Sequence, residues 1–127
     1  MVLRYLTRSP PEQSEKAERL IAAVRAGEVA VLLEDVTLAE VVWVLTSFYR
    51  VPRAAVADAV ARLVALDGIR MPDKTVVESA LGIFGRLNVK FIDALLAAKI
   101  LRAGQTEIWS FDRDFDRIRG IRRREPA

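Results

Sequence analysis

The sequence predicts an α/β fold, a short parallel sheet covered on both faces by helices, and three observations carry that expectation. Short, fully apolar runs such as Val29 to Leu33 alternate with longer stretches whose apolar residues recur at helical spacing. Helical crossovers between such runs specify parallel strands buried on both faces. Acidic residues then stand where an apolar helix starts and an apolar strand ends, and ligands of open α/β sheets bind at the carboxyl ends of strands.

In order, Met1 to Leu6 is an apolar beginning that reads as a strand or a helix already under way, with a strand favoured. Ser9-Pro10-Pro11-Glu12 signals a helix start, Ser9 serving as cap, and Ala17, Leu20, Ile21 and Val24 recur until Gly27 ends the run. Val29 to Leu33 is a buried strand with Asp35 just beyond it. Thr37 can cap the next helix, and Glu40 falls at the capping-box position. Its neighbours Leu38, Ala39, Val41, Val42, Trp43, Val44 and Leu45 leave no polar face for a carboxylate, so Glu40 reads either as a cap or as a ligand, roles that are not exclusive.

Arg53 to Leu66 is a scaffold helix with Val56, Val60, Leu63 and Val64 on one face. Ile69 to Met71 is a short strand, and Asp73 caps a helix reaching about Arg86. From Phe91 through Ile100 only Asp93 and Lys99 are not apolar, which predicts a helix buried on most of its circumference with a carboxylate in its first turn. Gln105 to Phe111 is a buried strand that delivers Asp112, Asp114 and Asp116 past its end, and a further strand is expected near Gly120 to Arg122.

Composition narrows the chemistry. The 127 residues suit one domain spanning 1–127, and 52% apolar with 29% charged is the profile of a packed protein. No apolar run approaches the roughly 18 residues of a membrane span, and no secretion-signal pattern opens the chain, so the cytoplasm is the expected location. Cysteine and histidine are absent, which excludes disulfides, thiolate or imidazole metal sites, and Ser-His or Cys-His catalysis. A metal here must be held by oxygen, which suits Mg²⁺, Mn²⁺ or Ca²⁺. Sixteen of the 20 basic residues are Arg. Arg117, Arg119, Arg122, Arg123 and Arg124 crowd the carboxyl end, as a frayed solvated tail or as a contact for nucleic acid or a protein partner.

Glu40, Asp93 and Asp112 each lie at an element boundary or in apolar surroundings, where a lone charge costs several kcal/mol. Gathered at one end of the sheet, they would repel one another until a divalent cation neutralised them. Phosphodiester hydrolysis suits such a cluster, because a metal-activated water needs neither histidine nor a covalent nucleophile.

Several stretches carry a resemblance to a known family: Arg-Tyr-Leu-Thr-Arg at 4–8, Pro-Glu-Gln-Ser-Glu-Lys-Ala at 11–17, Leu-Ala-Glu-Val-Val-Trp-Val-Leu at 38–45, Phe-Ile-Asp-Ala-Leu-Leu-Ala-Ala at 91–98 and Ser-Phe-Asp-Arg-Asp-Phe at 110–115. In this order they resemble PIN-domain nucleases, and more narrowly the VapC-type toxins of bacterial toxin-antitoxin pairs. The resemblance implies a compact three-layer α/β/α domain in which a quartet of acids holds Mg²⁺ or Mn²⁺ and RNA is cut. It also implies homodimers and inhibition by a VapB-type antitoxin. By position, Glu40, Asp93 and Asp112 correspond to metal-binding acids, Asp114 to an auxiliary or water-positioning acid, and Ser110 to the hydroxyl residue that ties the loop; Asp116 matches no family role and reads as a solvent-facing helix residue.

One departure stands out. The family opens with a strand ending in Asp-Thr-Asn, and this chain starts inside the apolar stretch that follows it, so the first strand and its Asp are expected to be missing. A chain beginning at Met1 is then expected to bind Mg²⁺ weakly and to have little nuclease activity. This leaves two readings, a metal-dependent endoribonuclease toxin and a catalytically impaired PIN-like module that binds antitoxin or RNA without cleaving. A receiver domain is disfavoured, since it needs an acidic pair after its first strand and a Lys after its last. Trp43, Phe48 and Tyr49 are large enough for an interface, with Trp43 read more readily as core.

Overall fold

A computed structural model describes residues 1–127 as six α-helices and four short strands. The helices are α1 (Val2–Thr7), α2 (Pro11–Arg25), α3 (Asp35–Ser47), α4 (Arg53–Val64), α5 (Lys74–Arg86) and α6 (Phe91–Arg102). The strands are β1 (Val31–Leu32), β2 (Ile69–Arg70), β3 (Glu107–Trp109) and β4 (Arg122–Arg124), with a 3₁₀ turn at Arg113–Arg117. All strand pairing is parallel, as helical crossovers require. The expected single sheet is divided, however, into two two-stranded sheets, β1 with β2 and β3 with β4.

The amino-terminal stretch is a helix, not a strand. With no neighbouring strand to complete a ladder, residues 2–7 satisfy their own amides, starting with Tyr5 N–H to Met1 O at 3.0 Å, and α1 buries Val2 against the core. Ser9 does not cap α2; Pro10 is the N-cap residue and Pro11 occupies the first turn. Helix α3 starts at Asp35, two residues before the expected cap, so Thr37 lies inside its first turn and Glu34 takes the cap position without a side-chain bond. Asp73 does cap α5, accepting the Val76 amide at 3.2 Å.

One core unites these pieces, with Leu38, Val42, Val60, Val77, Leu81, Phe84, Phe91, Ala94 and Leu95 among its members. Helix α5 packs on both α4 and α6. Phe84 and Phe91 meet edge to face with centroids 5.8 Å apart, which fixes the start of α6 against α5. Arg53 braces the same corner. One of its nitrogens donates to the carbonyls of Phe84, Leu87 and Val89 at 2.8–3.0 Å, and its guanidinium covers the Phe84 ring at 4.2 Å.

Several apolar residues expected inside are outside. Val29 and Leu32 are exposed, only Val31 and Leu32 pair as strand, and only Leu33 turns fully into the core. Trp109 and Phe111 are exposed around β3, leaving Ile108 as its buried residue. Ile92 and Leu96 give α6 an exposed stripe. Trp43, Phe48 and Tyr49 all reach the surface, so Trp43 is not a core residue. The carboxyl terminus is not a frayed tail: β4 pairs with β3, and Arg123 is held by Asp116 at 2.9 Å and Glu125 at 2.7 Å. Asp116 is exposed, in the 3₁₀ turn and not in an α-helix. No helix is long and apolar enough to cross a membrane.

Candidate active site

The start of α6 and the turn after β3 bring three carboxylates together. Asp93, Asp112 and Asp114 each offer an oxygen, and these oxygens lie within 4.8 Å of one another. The turn is built by its own side chains. Asp112 N–H donates to Ser110 Oγ at 3.0 Å, and Asp114 N–H donates to Asp112 Oδ1 at 2.9 Å, which folds the chain back on itself as Asx and Ser turns do. Phe115 and Ile118 then anchor the 3₁₀ segment in the core.

The charges are unevenly compensated. Lys90 Nζ approaches Asp112 Oδ2 at 3.9 Å. Arg117 reaches Asp114 Oδ1 at 3.1 Å while also donating to the Asn88 carbonyl at 2.8 Å, which ties the turn to the loop entering α6. Asp93 Oδ2 is buried and has no hydrogen-bond partner. Burial pushes the Asp93 carboxyl above its ordinary range. The Asp112 charge adds to the rise, Lys90 opposes it, and Asp114 adds a smaller part. An unpartnered acceptor beside two further carboxylates is what a hard divalent cation would satisfy, and the donor set is all oxygen.

Of the sequence-predicted residues, the structure brings Asp93, Asp112, Asp114 and Ser110 together and leaves Glu40 outside the group. Glu40 is exposed on α3, and the expected lack of a polar face does not hold there: Val36 and Trp43 are exposed on the same helix, so this side of α3 meets solvent. Sequence reasoning missed Lys90 and Arg117. The spacing of Arg117 three residues after Asp114 within one turn was the available signal. Asp35 belongs to a separate cleft of about 290 Å³, where it pairs with Lys99 while Asp73 pairs with Arg102. With each acid there matched by a cation, that cleft has no unmet negative charge.

No match was found among curated proteins or among solved structures. Residues 2–121, nearly the whole length, match the PIN domain family, whose members are typically metal-dependent nucleases, and the acidic group at the junction of α6 and β3 fits that chemistry. The chain belongs to the PIN domain family.

Proposed function

We propose that this PIN domain is a metal-dependent endoribonuclease and the toxin component of a type II toxin-antitoxin pair, with RNA as substrate and a VapB-type protein as inhibitor. The observation that carries the reading is the buried, unpartnered Asp93 Oδ2 beside Asp112 and Asp114. Asp93 and Asp112 would hold Mg²⁺ or Mn²⁺, and Asp114 would hold or orient the attacking water. A bound ion would lower the pKa of that water and stabilise the leaving oxygen. Ser110 keeps the Asp112 amide turned inward, and Lys90 limits the repulsion among the carboxylates. Glu40 is retained as the fourth acid, and Glu40→Gln tests it.

The antitoxin reading is supported by a groove of about 340 Å³ between α3 and the start of α6, lined by Trp43, Phe91, Ile92 and Lys90 among others. It is apolar, partly open, and shares Lys90 with the carboxylate site. Trp43, exposed at this groove, would also serve a homodimer.

The decisive experiment is cleavage of a labelled single-stranded RNA in Mg²⁺ or Mn²⁺, with calorimetric titration of the metal alone alongside it. Cleavage that stops with EDTA and with Asp93→Asn, together with metal binding lost in the same variant, supports the reading. Metal binding without cleavage supports the second reading, a PIN-like module that binds without cutting, which the position of Glu40 outside the group favours.

A further inference from the structure

Beside the carboxylates lies an exposed aromatic and basic face that the site itself does not use. Residues 107 and 109 of β3 and their register partners Arg122 and Arg124 of β4 point to the outer side, while Ile108 and Arg123 point inward. Trp109 is 60% exposed and Phe111, just past the strand, is 70% exposed. The Arg124 guanidinium stands over the Trp109 ring at 5.1 Å and donates to Glu107 at 3.3 Å. Arg113, Arg119 and Arg122 are exposed and engage no carboxylate.

We propose that Trp109 and Phe111, with Arg122 and Arg124, form a stacking platform that binds the bases of a single-stranded nucleic acid and feeds its backbone to the carboxylate site. Large exposed aromatic rings are costly on a free surface, and Trp109, with the Arg124 guanidinium over its ring and the unmatched Arg122 on the same side of the paired strands, is complementary to a ligand that is flat, apolar and anionic at once. Double-stranded nucleic acid buries its bases, so it offers nothing to such rings, whereas single strands present every base face. The placement is also productive. The Cα atoms of Trp109 and Phe111 are at most about 7 Å apart, and Phe111 adjoins Asp112 across one peptide bond of about 3.8 Å. A base stacked on Phe111 would set the next phosphate near the acidic group. This inference rests on the nuclease reading for its direction toward the carboxylates, but the binding itself needs no metal.

The test therefore runs in EDTA, with a fluorescein-labelled eight-nucleotide oligouridylate followed by anisotropy and by quenching of tryptophan fluorescence. Trp109→Ala and Phe111→Ala should each weaken binding roughly 5- to 100-fold. Trp109→Tyr should retain binding within a few-fold while removing most of the quench, since only Trp43 then remains to report. Circular dichroism establishes that the variants fold. Where cleavage is measurable, both alanine variants should raise KM more than they lower kcat.

Failure of the parent protein to bind the oligouridylate, or undiminished binding by both alanine variants, overturns the platform. The same follows if an unlabelled duplex competes as well as a single strand, or if the aromatic variants change only self-association. Absence of cleavage with intact, ring-dependent binding would overturn the nuclease reading and leave the platform standing.

Discussion

Replacing Asp93 with Asn should stabilise the metal-free protein while abolishing its response to metal. The oxygens of Asp93, Asp112 and Asp114 lie within 4.8 Å of one another. At that separation one pair of like charges repels by about 0.9 kcal/mol at the dielectric constant of water and about 3.5 kcal/mol at an effective value near 20. Asp112 and Asp114 side chains are 36% and 22% exposed, and Lys90 and Arg117 offset part of the field, so the lower end governs. Neutralising Asp93 should then raise stability in EDTA by about 1–2 kcal/mol, or roughly 4–8 °C in Tm. An asparagine amide can in addition donate to a neighbouring carboxylate. In the parent protein, metal at a hundredfold excess over its Kd should add about 2.7 kcal/mol, and in the variant close to nothing.

The pH dependence has a definite sign. Because the folded Asp93 carboxyl titrates above its unfolded value of 3.8, the folded state binds more protons in the interval between the two. Ionised Asp93 therefore costs stability above its raised folded pKa, and the cost fades as pH falls through that value. The difference between variant and parent should narrow toward pH 4. Urea denaturation with and without Mg²⁺ at several pH values measures all of this. An Asp93→Asn protein less stable than the parent in EDTA at pH 7, or equally stabilised by Mg²⁺, would refute the shared-charge account.

Asp73 should behave in the opposite sense. Its cap bond from Val76, with the Arg102 ion pair, holds its carboxyl below 3.8, so its contribution is present above pH 4 and is lost as pH falls lower; Asp73→Asn, which still caps, should show a shallower acid limb in thermal melts at matched neutral stability. Arg53→Met should cost about 2–3 kcal/mol in urea unfolding, because three carbonyls lose one charged donor, and an effect below about 0.5 kcal/mol would remove its bracing role. Gly68→Ala places a Cβ 2.7 Å from Val24 Cγ1 and 3.0 Å from the Val29 carbonyl, so about 1–3 kcal/mol of destabilisation is expected by denaturant titration.

The helices were legible because their signals are local. Asp73 as cap, the apolar period of residues 53–64 and the run from Phe91 each state an element without reference to the rest of the chain. Asp93 and Asp112 could be singled out because an acid in the first turn of an apolar helix, or just past an apolar strand, has few ways of being satisfied, whereas Asp114 entered only through the family resemblance and joins them in space through the turn after β3. The surroundings of Glu40 were misread because they were inferred from composition. Which side of α3 is covered depends on what packs there, and a hydrophobic stretch with no clear period cannot specify that side. Residues 2–7 failed for a related reason: apolar residues in a short run fit strand and helix equally, and only the neighbours available to them decide. Lys90 meets Asp112 across tertiary space, beyond what spacing reveals, whereas Arg117, three residues after Asp114, was within reach of it.

The division between the two sheets has a physical consequence of its own. On β1, Val31 and Leu33 direct their amides to Gly68 and Arg70 of the β2 side, so Leu32 turns its peptide groups outward to an unpaired margin. On β3, Thr106 and Ser110 bond to the β4 side, which leaves Glu107 and Trp109 in the same condition. Unsatisfied ladders bordered by Leu32 and Trp109 are templates for foreign backbone, and nothing along them is a proline or a bulge to deter it. Purified chains at high concentration should therefore tend to recruit one another edgewise, limited by the shortness of these strands and by the charge of Glu107.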